Sequence, residues 1–306
     1  MSGAVSTINA LIAEATDLLN NEEALTTEEA KQTLGAAIEA ANNAIAEGLT
    51  LETYKAQNEA LNAAIKGGHD AMSAASAFET LVTEHINNFD TGVYDPYSSK
   101  AEYGKFQDLL LDEMEPALAQ SLESIKWIED ATMKIDKAYA TMVSTDIDFT
   151  GASINAPADV TAMIQSPSFS VPDPNDPSKE LSSIKGWVTT EGNNANATGA
   201  QNYEFYVGKG DADIHQVLYA LPKGYYRLVY NGFYRAGGAV EAAVAHRDST
   251  DARNAKVYVE AGDGKWSKEL ASIFDHVNEY KYDGGDFALA DSLFPESDKL
   301  YHFVVN

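Results

Sequence analysis

Apolar side chains recur every three or four positions along the first part of the chain, which is the spacing of one face of an α-helix. The first such stretch covers residues 5–21. A second opens at residues 26–29, where Thr26 and Glu29 have the spacing of a capping box, and a third begins after Thr50. We expect this third helix to end at the glycine pair 67–68. The pattern predicts an up-down-up bundle of three helices over residues 1–68.

A second set of helical stretches follows over residues 69–145. Its apolar face includes Met72 and Phe78, and its first two stretches are separated by a loop at residues 90–98 that contains glycine and proline. The last stretch repeats apolar residues from Leu118 to Met142 at close to heptad spacing. These residues predict a second antiparallel bundle, with the methionine and aromatic stripe forming its core.

The composition changes around residues 146–157, where alanine and glutamate give way to glycine, tyrosine, threonine and asparagine. Such a change is typical of a domain boundary. Short apolar stretches separated by turn residues follow, and they predict an all-β jelly-roll sandwich over residues 146–306. Within it, the proline-rich stretch 172–177 is expected not to form a strand, because proline cannot donate to a ladder of hydrogen bonds.

The predicted sandwich is organised around residues 213–238, which we interpret as two adjacent strands joined at residues 222–224. Alternation along the second strand places Tyr226 and Leu228 on one face and Arg227 on the other, and one of these faces is expected to be core. Residues 300–305 form the last strand candidate. Because that apolar pattern continues up to the end of the chain, we expect the chain to be truncated there or completed by another segment.

The charge balance restricts the partners. The 47 acidic and 21 basic residues give a net charge of −26, which repels nucleic acid and anionic membrane surfaces, whereas a neutral glycan or a protein partner remains compatible. The sequence has no cysteine, so disulfides, thiolate–metal sites and cysteine nucleophiles are excluded. No apolar run reaches the roughly 20 residues of a membrane-spanning helix. The first residues lack a signal peptide, so either the protein is cytoplasmic or its export signal has been removed.

The first helical region resembles a known module. The resemblance rests on residues 15–19, 27–30 and 36–46, the last with a repeating Ala-Ala-Ile-Glu-Ala-Ala-Asn-Asn-Ala-Ile pattern. These stretches are similar to the three-helix modules called FIVAR (found in various architectures). Such modules occur as spacers in large secreted or surface proteins of bacteria. The resemblance therefore implies a spacer and a location outside the cell or at its surface.

The second half carries a series of short motifs between residues 158 and 235. In chain order they are Ala-Asp-Val-Thr at 158–161, Ser-Pro-Ser-Phe at 166–169, Gly-Trp at 186–187, Asn-Tyr-Glu at 202–204, His-Gln-Val-Leu at 215–218, Leu-Pro-Lys-Gly-Tyr-Tyr-Arg at 221–227 and Gly-Phe-Tyr-Arg at 232–235. This order resembles the galactose-binding-domain-like sandwiches, related to carbohydrate-binding modules, of surface and secreted proteins in gut Bacteroidetes. Members commonly have an acidic residue near a structural calcium where this chain has Ser170.

Sugar recognition combines an aromatic face for the apolar side of a sugar ring with planar polar groups for its hydroxyls. For any one aromatic residue, a place in the core is the competing interpretation, and for Arg235 it is a structural ion pair. Calcium binding by Asp173, Asn175 and Asp176 competes with a plain turn, and no other cofactor is expected. The candidate carbohydrate-binding residues are Trp187, Tyr203, Tyr206, Tyr234, Arg235 and Trp266.

No set of residues in the sequence has the pattern of a catalytic site. The six histidines are scattered, and none is paired at the spacing of metal ligands. We therefore predict a non-catalytic surface or secreted protein, in which a helical spacer carries a carbohydrate-binding sandwich. The alternatives are a protein-binding adhesin or structural module, or the accessory region of a larger glycoside hydrolase.

Overall fold

A computed structural model describes residues 2–21, 26–118, 122–173, 175–189, 194–197, 203–206, 213–230, 239–251, 255–272, 274 and 300–305. The chain divides into two compact units, Met1–Ala220 and Leu221–Asn306. The helices of the first unit are α1 (Ser2–Leu19), α2 (Glu28–Glu47), α3 (Leu51–Asp90), α4 (Ala101–Leu118) and α5 (Ile125–Ser144), with short 3₁₀ helices at Asp95–Tyr97 and Thr161–Met163. The helical N-terminal half of the predicted fold is confirmed.

Two hydrophobic cores organise these helices. The first core joins α1, α2 and the beginning of α3, and the second joins the rest of α3 with α4 and α5. Apolar positions three and four residues apart supply both of them, as the spacing predicted. The large buried side chains of the first core are Ile8, Leu34, Leu49, Leu61 and Ile65, and those of the second are Phe78, Val82, Tyr94, Phe106, Leu110, Leu122, Ile128, Ile135 and Met142.

Helix α3 is continuous over 40 residues and belongs to both cores. It begins at a capping box formed by Thr50 and Thr53 and ends at Thr91. The predicted stop at the glycine pair 67–68 is wrong. Residues of α3 before and after the pair are buried in the two cores, and the helix continues through the glycines. A Cβ atom at position 68 would lie 3.2 Å from Cδ1 of Leu34, so the absent side chain lets α2 come close. The division at residue 68 falls within this helix, and the three-part division of the chain stays a prediction.

The last helix starts later than its apolar pattern predicted. Helix α4 extends to Leu118 and includes Pro116, and α5 begins only after Ser124, whose hydroxyl accepts a hydrogen bond of 3.1 Å from the backbone N–H of Trp127. Leu118 and Leu122 therefore lie outside α5, and their assignment to the last helix is wrong. Leu122 is nevertheless fully buried, which explains why it fitted the apolar repeat.

The strands of the first unit are β1 (Ser170–Asp173), β2 (Asp176–Ser182), β3 (Val188–Thr189), β4 (Asn194–Ala197), β5 (Tyr203–Tyr206) and β6 (Ile214–His215). They pair antiparallel as β1 with β2, β3 with β6 and β4 with β5. The expectation that residues 172–177 form no strand is wrong. Pro172 lies in β1 opposite Glu180 of β2. Proline is tolerated in a strand that has a partner on one side only, as β1 has among the described residues.

The second unit contains β7 (Gly224–Val229), α6 (Ala239–Arg247), β8 (Lys256–Ala261), β9 (Gly264–Glu269) and β10 (Leu300–Val305). Strand β7 pairs with β10, and β8 forms a hairpin with β9 around Gly262. The strand predicted at residues 300–305 is confirmed.

Two expectations for the β-region need correction. Strand β6 pairs with β3 and β7 pairs with β10, so the two strands predicted to form one hairpin belong to different sheets. Between them the chain passes Ala220, whose positive φ of 61° turns the backbone at the boundary of the two units. Helix α6 also lies in the half predicted to be all-β. The described strands form two-stranded sheets, and the jelly-roll arrangement stays a prediction.

Candidate functional site

Trp187 is a predicted sugar-binding residue held in a defined orientation. Its indole N–H donates a hydrogen bond of 3.3 Å to the carbonyl oxygen of Ser166. Its ring is tilted by 39° against the ring of Phe169, with 4.9 Å between the centroids. The residue is half-buried. Because the N–H is already used within the protein, the indole offers a ligand its ring surface.

The segments next to Trp187 are held by hydrogen bonds between the backbone of Gln165 and the side chain of Gln216, and by a close approach at Gly186. The backbone N–H of Gln165 donates to Oε1 of Gln216 at 2.8 Å, and Nε2 of Gln216 donates to the carbonyl oxygen of Gln165 at 3.0 Å. Gly186 has a φ of 79°, and a Cβ atom there would lie 2.5 Å from Cβ of Gln165. A glycine is therefore required beside Trp187, as the Gly-Trp motif of the sequence has it.

A further contact ties this loop to the helical region of the same unit. The Lys185 ammonium group forms an ion pair with Glu84 of α3. The backbone N–H of Ser183 donates to the carbonyl oxygen of Phe169 at 2.8 Å. The orientation of Trp187 is therefore supported by both the loop and α3.

Trp266 lies in the β8–β9 hairpin of the second unit. It is half-buried, stands opposite Val259 in register, and its ring covers Gly264 so closely that a Cβ atom there would collide with it. On the neighbouring positions, the ammonium group of Lys265 lies 5.3 Å from the ring centroid of Tyr258. The Trp266 ring thus packs on its own hairpin, as the core interpretation of an aromatic candidate expects, and its part in a sugar site stays a prediction.

The remaining candidates are described less fully. The backbone of Tyr203 lies opposite Ala197, and that of Tyr206 lies opposite Asn194, within the β4–β5 pair. Tyr234 and Arg235 lie outside the described residues. Their part in a sugar site stays a prediction.

An aromatic and basic face on β7 was not among the predicted site residues. Tyr225 is 79% exposed and Val229 is 49% exposed, and Arg227 between them is exposed as well. The alternate residues Tyr226 and Leu228 are half-buried, so the two-face prediction for this strand is confirmed. No described carboxylate forms an ion pair with Arg227. The alternation was visible in the sequence, but it did not tell which face would be exposed.

The proposed calcium loop forms a turn in which the carboxylates accept hydrogen bonds. Oδ1 of Asp173 accepts from the backbone N–H of Asn175 at 2.8 Å. Asp176 accepts from the hydroxyl of Ser178 at 2.6 Å and pairs with the ammonium group of Lys179 at 2.9 Å, and these contacts lower the pKa of Asp176. Within the described ranges, no group of three or more histidine, cysteine or acidic residues is placed to hold a metal ion.

A buried polar network lies in the second helical core. Nδ1 of His85 lies 2.7 Å from Oη of Tyr94, and that oxygen accepts a hydrogen bond of 3.0 Å from Nδ2 of Asn88. The hydroxyl proton of Tyr94 is therefore directed to an imidazole that is neutral. Burial, assisted by Lys185 and opposed by Glu84, lowers the pKa of His85 to about 4. Aromatic rings enclose the imidazole, so the network is a structural one.

Set against family models, curated proteins and solved structures, the chain matches none of them. In the part of the chain that the structure describes, no helix is both long and apolar enough to cross a membrane. The described residues form helical bundles followed by small antiparallel sheets.

Proposed function

We propose that this chain is a non-catalytic carbohydrate-binding protein of the cell surface or the extracellular space, in which the helical half is a spacer. The exposed face of β7 carries this proposal, because Tyr225 and Arg227 stand on it two residues apart. Successive side chains on one face of a strand are about 7 Å apart, which suits a single sugar ring.

The recognition chemistry follows from these side chains. The ring of Tyr225 is placed to stack against the C–H face of a sugar, and the guanidinium group of Arg227 supplies planar donors for its hydroxyls. Within the first unit, the ring of Trp187 is a separate candidate for stacking against a sugar. Tyr203, Tyr206, Tyr234, Arg235 and Trp266 stay in the proposal as further contacts of a galactose-binding-like sandwich.

The spacer part of the proposal is supported by α3. A helix of 40 residues is about 60 Å long, and two hydrophobic cores brace it along its length. Such a braced helix is suited to holding apart what lies at its two ends. The resemblance of the first helices to FIVAR modules agrees with this role.

The proposal is tested by screening the whole chain on a glycan array and measuring the positive glycans by isothermal titration calorimetry. We expect Tyr225→Ala to weaken binding at least tenfold, because the exposed ring is lost without disturbing a core. Leu51→Ala is the matched control, since Leu51 is 71% exposed on α3. Failure of the intact chain to bind any glycan would overturn the proposal, as would an equal loss in both variants.

A protein-binding function is the second candidate, and one observation favours it. Val188 and Val217, on and beside the β3–β6 pair, are 54% and 56% exposed. Exposed apolar side chains near Trp187 suit a protein contact better than a sugar hydroxyl. If Val188→Ser weakens the binding of a protein partner and Tyr225→Ala does not, this second function is favoured. The accessory-region alternative depends on finding a hydrolase domain encoded in the same gene.

A further inference from the structure

A groove runs between α4 and α5 on the second helical core. Its volume is about 340 Å³. The residues that line it have the spacing i, i+3, i+4 and i+7 on each helix, so each helix contributes one face about 10 Å long. They are Glu102, Lys105, Phe106 and Leu109 from α4, and Lys134, Lys137, Ala138 and Thr141 from α5.

The floor of the groove is apolar. Phe106 is fully buried, and its ring lies 5.1 Å from the His85 ring and 6.0 Å from the Tyr139 ring, measured between centroids. Leu109 and Ala138 flank it and are half-buried. Phe106 is thus held in place by other rings beneath it.

The rim of the groove is basic, although acidic residues outnumber basic ones by 47 to 21 in this chain. Lys134 donates to Glu113 at 2.8 Å, and Lys105 lies 3.5 Å from Glu102. Lys137 forms no ion pair with a described carboxylate. The groove thus has one ammonium group that no described acid neutralises, above an apolar floor.

We infer that this groove binds a small molecule with an apolar body and a single anionic head group, such as a carboxylate or a sulfate. The apolar body lies on Leu109 and Ala138, above the buried ring of Phe106, and the head group pairs with Lys137. The volume is within the range of about 300–1,000 Å³ that small-ligand sites occupy. This site is separate from the sugar-binding residues proposed above and does not depend on them.

The charge requirement is tested with three probes of equal chain length, namely decanoate, decanol and decylammonium, each below its aggregation concentration. Binding to the whole chain is measured by calorimetry and by chemical-shift changes of the α4 and α5 amides. We expect decanoate to bind at least ten times more tightly than decanol, and decylammonium more weakly still. Equal affinities for decanoate and decanol would overturn the inference, as would shifts that avoid both helices.

Variants then place the ligand in the groove. We expect Lys137→Met, which keeps an apolar stem without the charge, to reduce decanoate affinity at least fivefold. Ala138→Trp fills the groove and should abolish binding, and Leu109→Glu, which puts a negative charge at the rim, gives the same test if the tryptophan variant is unstable. The control is Lys126→Met on the same helix, because Lys126 already pairs with Asp130 at 2.5 Å. Losses in the control as large as those in Lys137→Met would contradict the assignment.

Discussion

Thr27 and Leu122 form a parallel β-bridge that joins the start of α2 to the segment between α4 and α5. The backbone N–H of Glu28 donates to the carbonyl oxygen of Leu122 at 2.8 Å, and that of Glu29 donates to Glu123 at 3.0 Å. The next free donor, the N–H of Ala30, is bound by the hydroxyl of Thr27 at 3.2 Å. The first free N–H groups of α2 are therefore all satisfied, and two of them by a segment distant in sequence.

Replacing Thr27 by valine should destabilise the protein by about 1 to 2 kcal/mol, because valine keeps the volume of this buried side chain but removes the capping oxygen. Thr27→Ser keeps the oxygen and should cost less. Thr26→Val is the control, since Thr26 precedes the cap. Urea unfolding followed by circular dichroism measures these differences. A cost for Thr26→Val equal to that of Thr27→Val would show that the cap lies one residue earlier.

His85 should make the stability of the protein dependent on pH. Its pKa is about 4 in the folded chain and 6.5 when it is exposed, so the unfolded chain takes up a proton first as the pH falls. The contribution is complete above pH 6.5 and is lost between pH 6.5 and pH 4, by as much as about 3 kcal/mol. Urea unfolding at several pH values across this window measures the loss.

The matched variants for this prediction are His85→Phe and His69→Gln. His85→Phe removes the titrating ring and should flatten the pH dependence, although it also removes the hydrogen bond from Tyr94 and lowers stability at neutral pH. His69→Gln is the control on the same helix, because His69 is exposed and lies outside the network of His85 and Tyr94. A pH dependence that survives in His85→Phe would contradict the prediction.

Asp136 on α5 should make stability depend on pH in the opposite sense to His85, with less stability at higher pH. Burial raises the pKa of this carboxyl group to about 6, so the folded chain holds its proton more tightly than the unfolded chain. The stabilising contribution is complete below the unfolded value of 3.8 and is lost as the pH rises through 6. Asp136→Asn should therefore stabilise the protein at pH 7.5, by about 1 kcal/mol after solvent screening, and have little effect at pH 3.5.

The control for Asp136 is Asp130→Asn on the same helix. Asp130 is about half exposed and pairs with Lys126, so removing its charge should leave stability unchanged or slightly lower at pH 7.5. Thermal unfolding at the two pH values compares the variants. A gain in Asp130→Asn equal to that in Asp136→Asn would point to the net charge of the chain as the cause, and not to burial of one carboxyl group.

The helices were predictable because their signals are local. The spacing of apolar residues and the start of the third helix after Thr50 depend on neighbours within a few positions, and the structure confirms both. The cap of α2 was predicted one residue early because Leu122 and Glu123 supply its outer hydrogen bonds, and no local pattern reveals that contact. The pairing of β6 with β3 and of β7 with β10 joins strands that are distant in sequence, so no local pattern predicts it either.

The candidate site was predictable only in part. The sequence indicated Trp187 and the alternation along β7, but the exposed side of that strand was decided by packing, which left Tyr225 outward and Tyr226 half-buried. For Trp266 the sequence left a place in the core as the competing interpretation, and the structure shows its ring covering Gly264 of its own hairpin. The network at His85 had no signal in the sequence, because Tyr94 reaches it from a loop.

The two glycines in the middle of α3 provide a last test of its continuity. A Cβ atom at Gly67 would meet no atom within 4 Å, so Gly67→Ala should stabilise the protein by up to about 1 kcal/mol through the higher helix propensity of alanine. At Gly68 the same change places a methyl group 3.2 Å from Leu34, and part of this gain should be lost. Urea unfolding compares the two variants. If the helix stopped at this pair, alanine would gain nothing at position 67, and the shared helix of the two cores would have to be replaced by two separate ones.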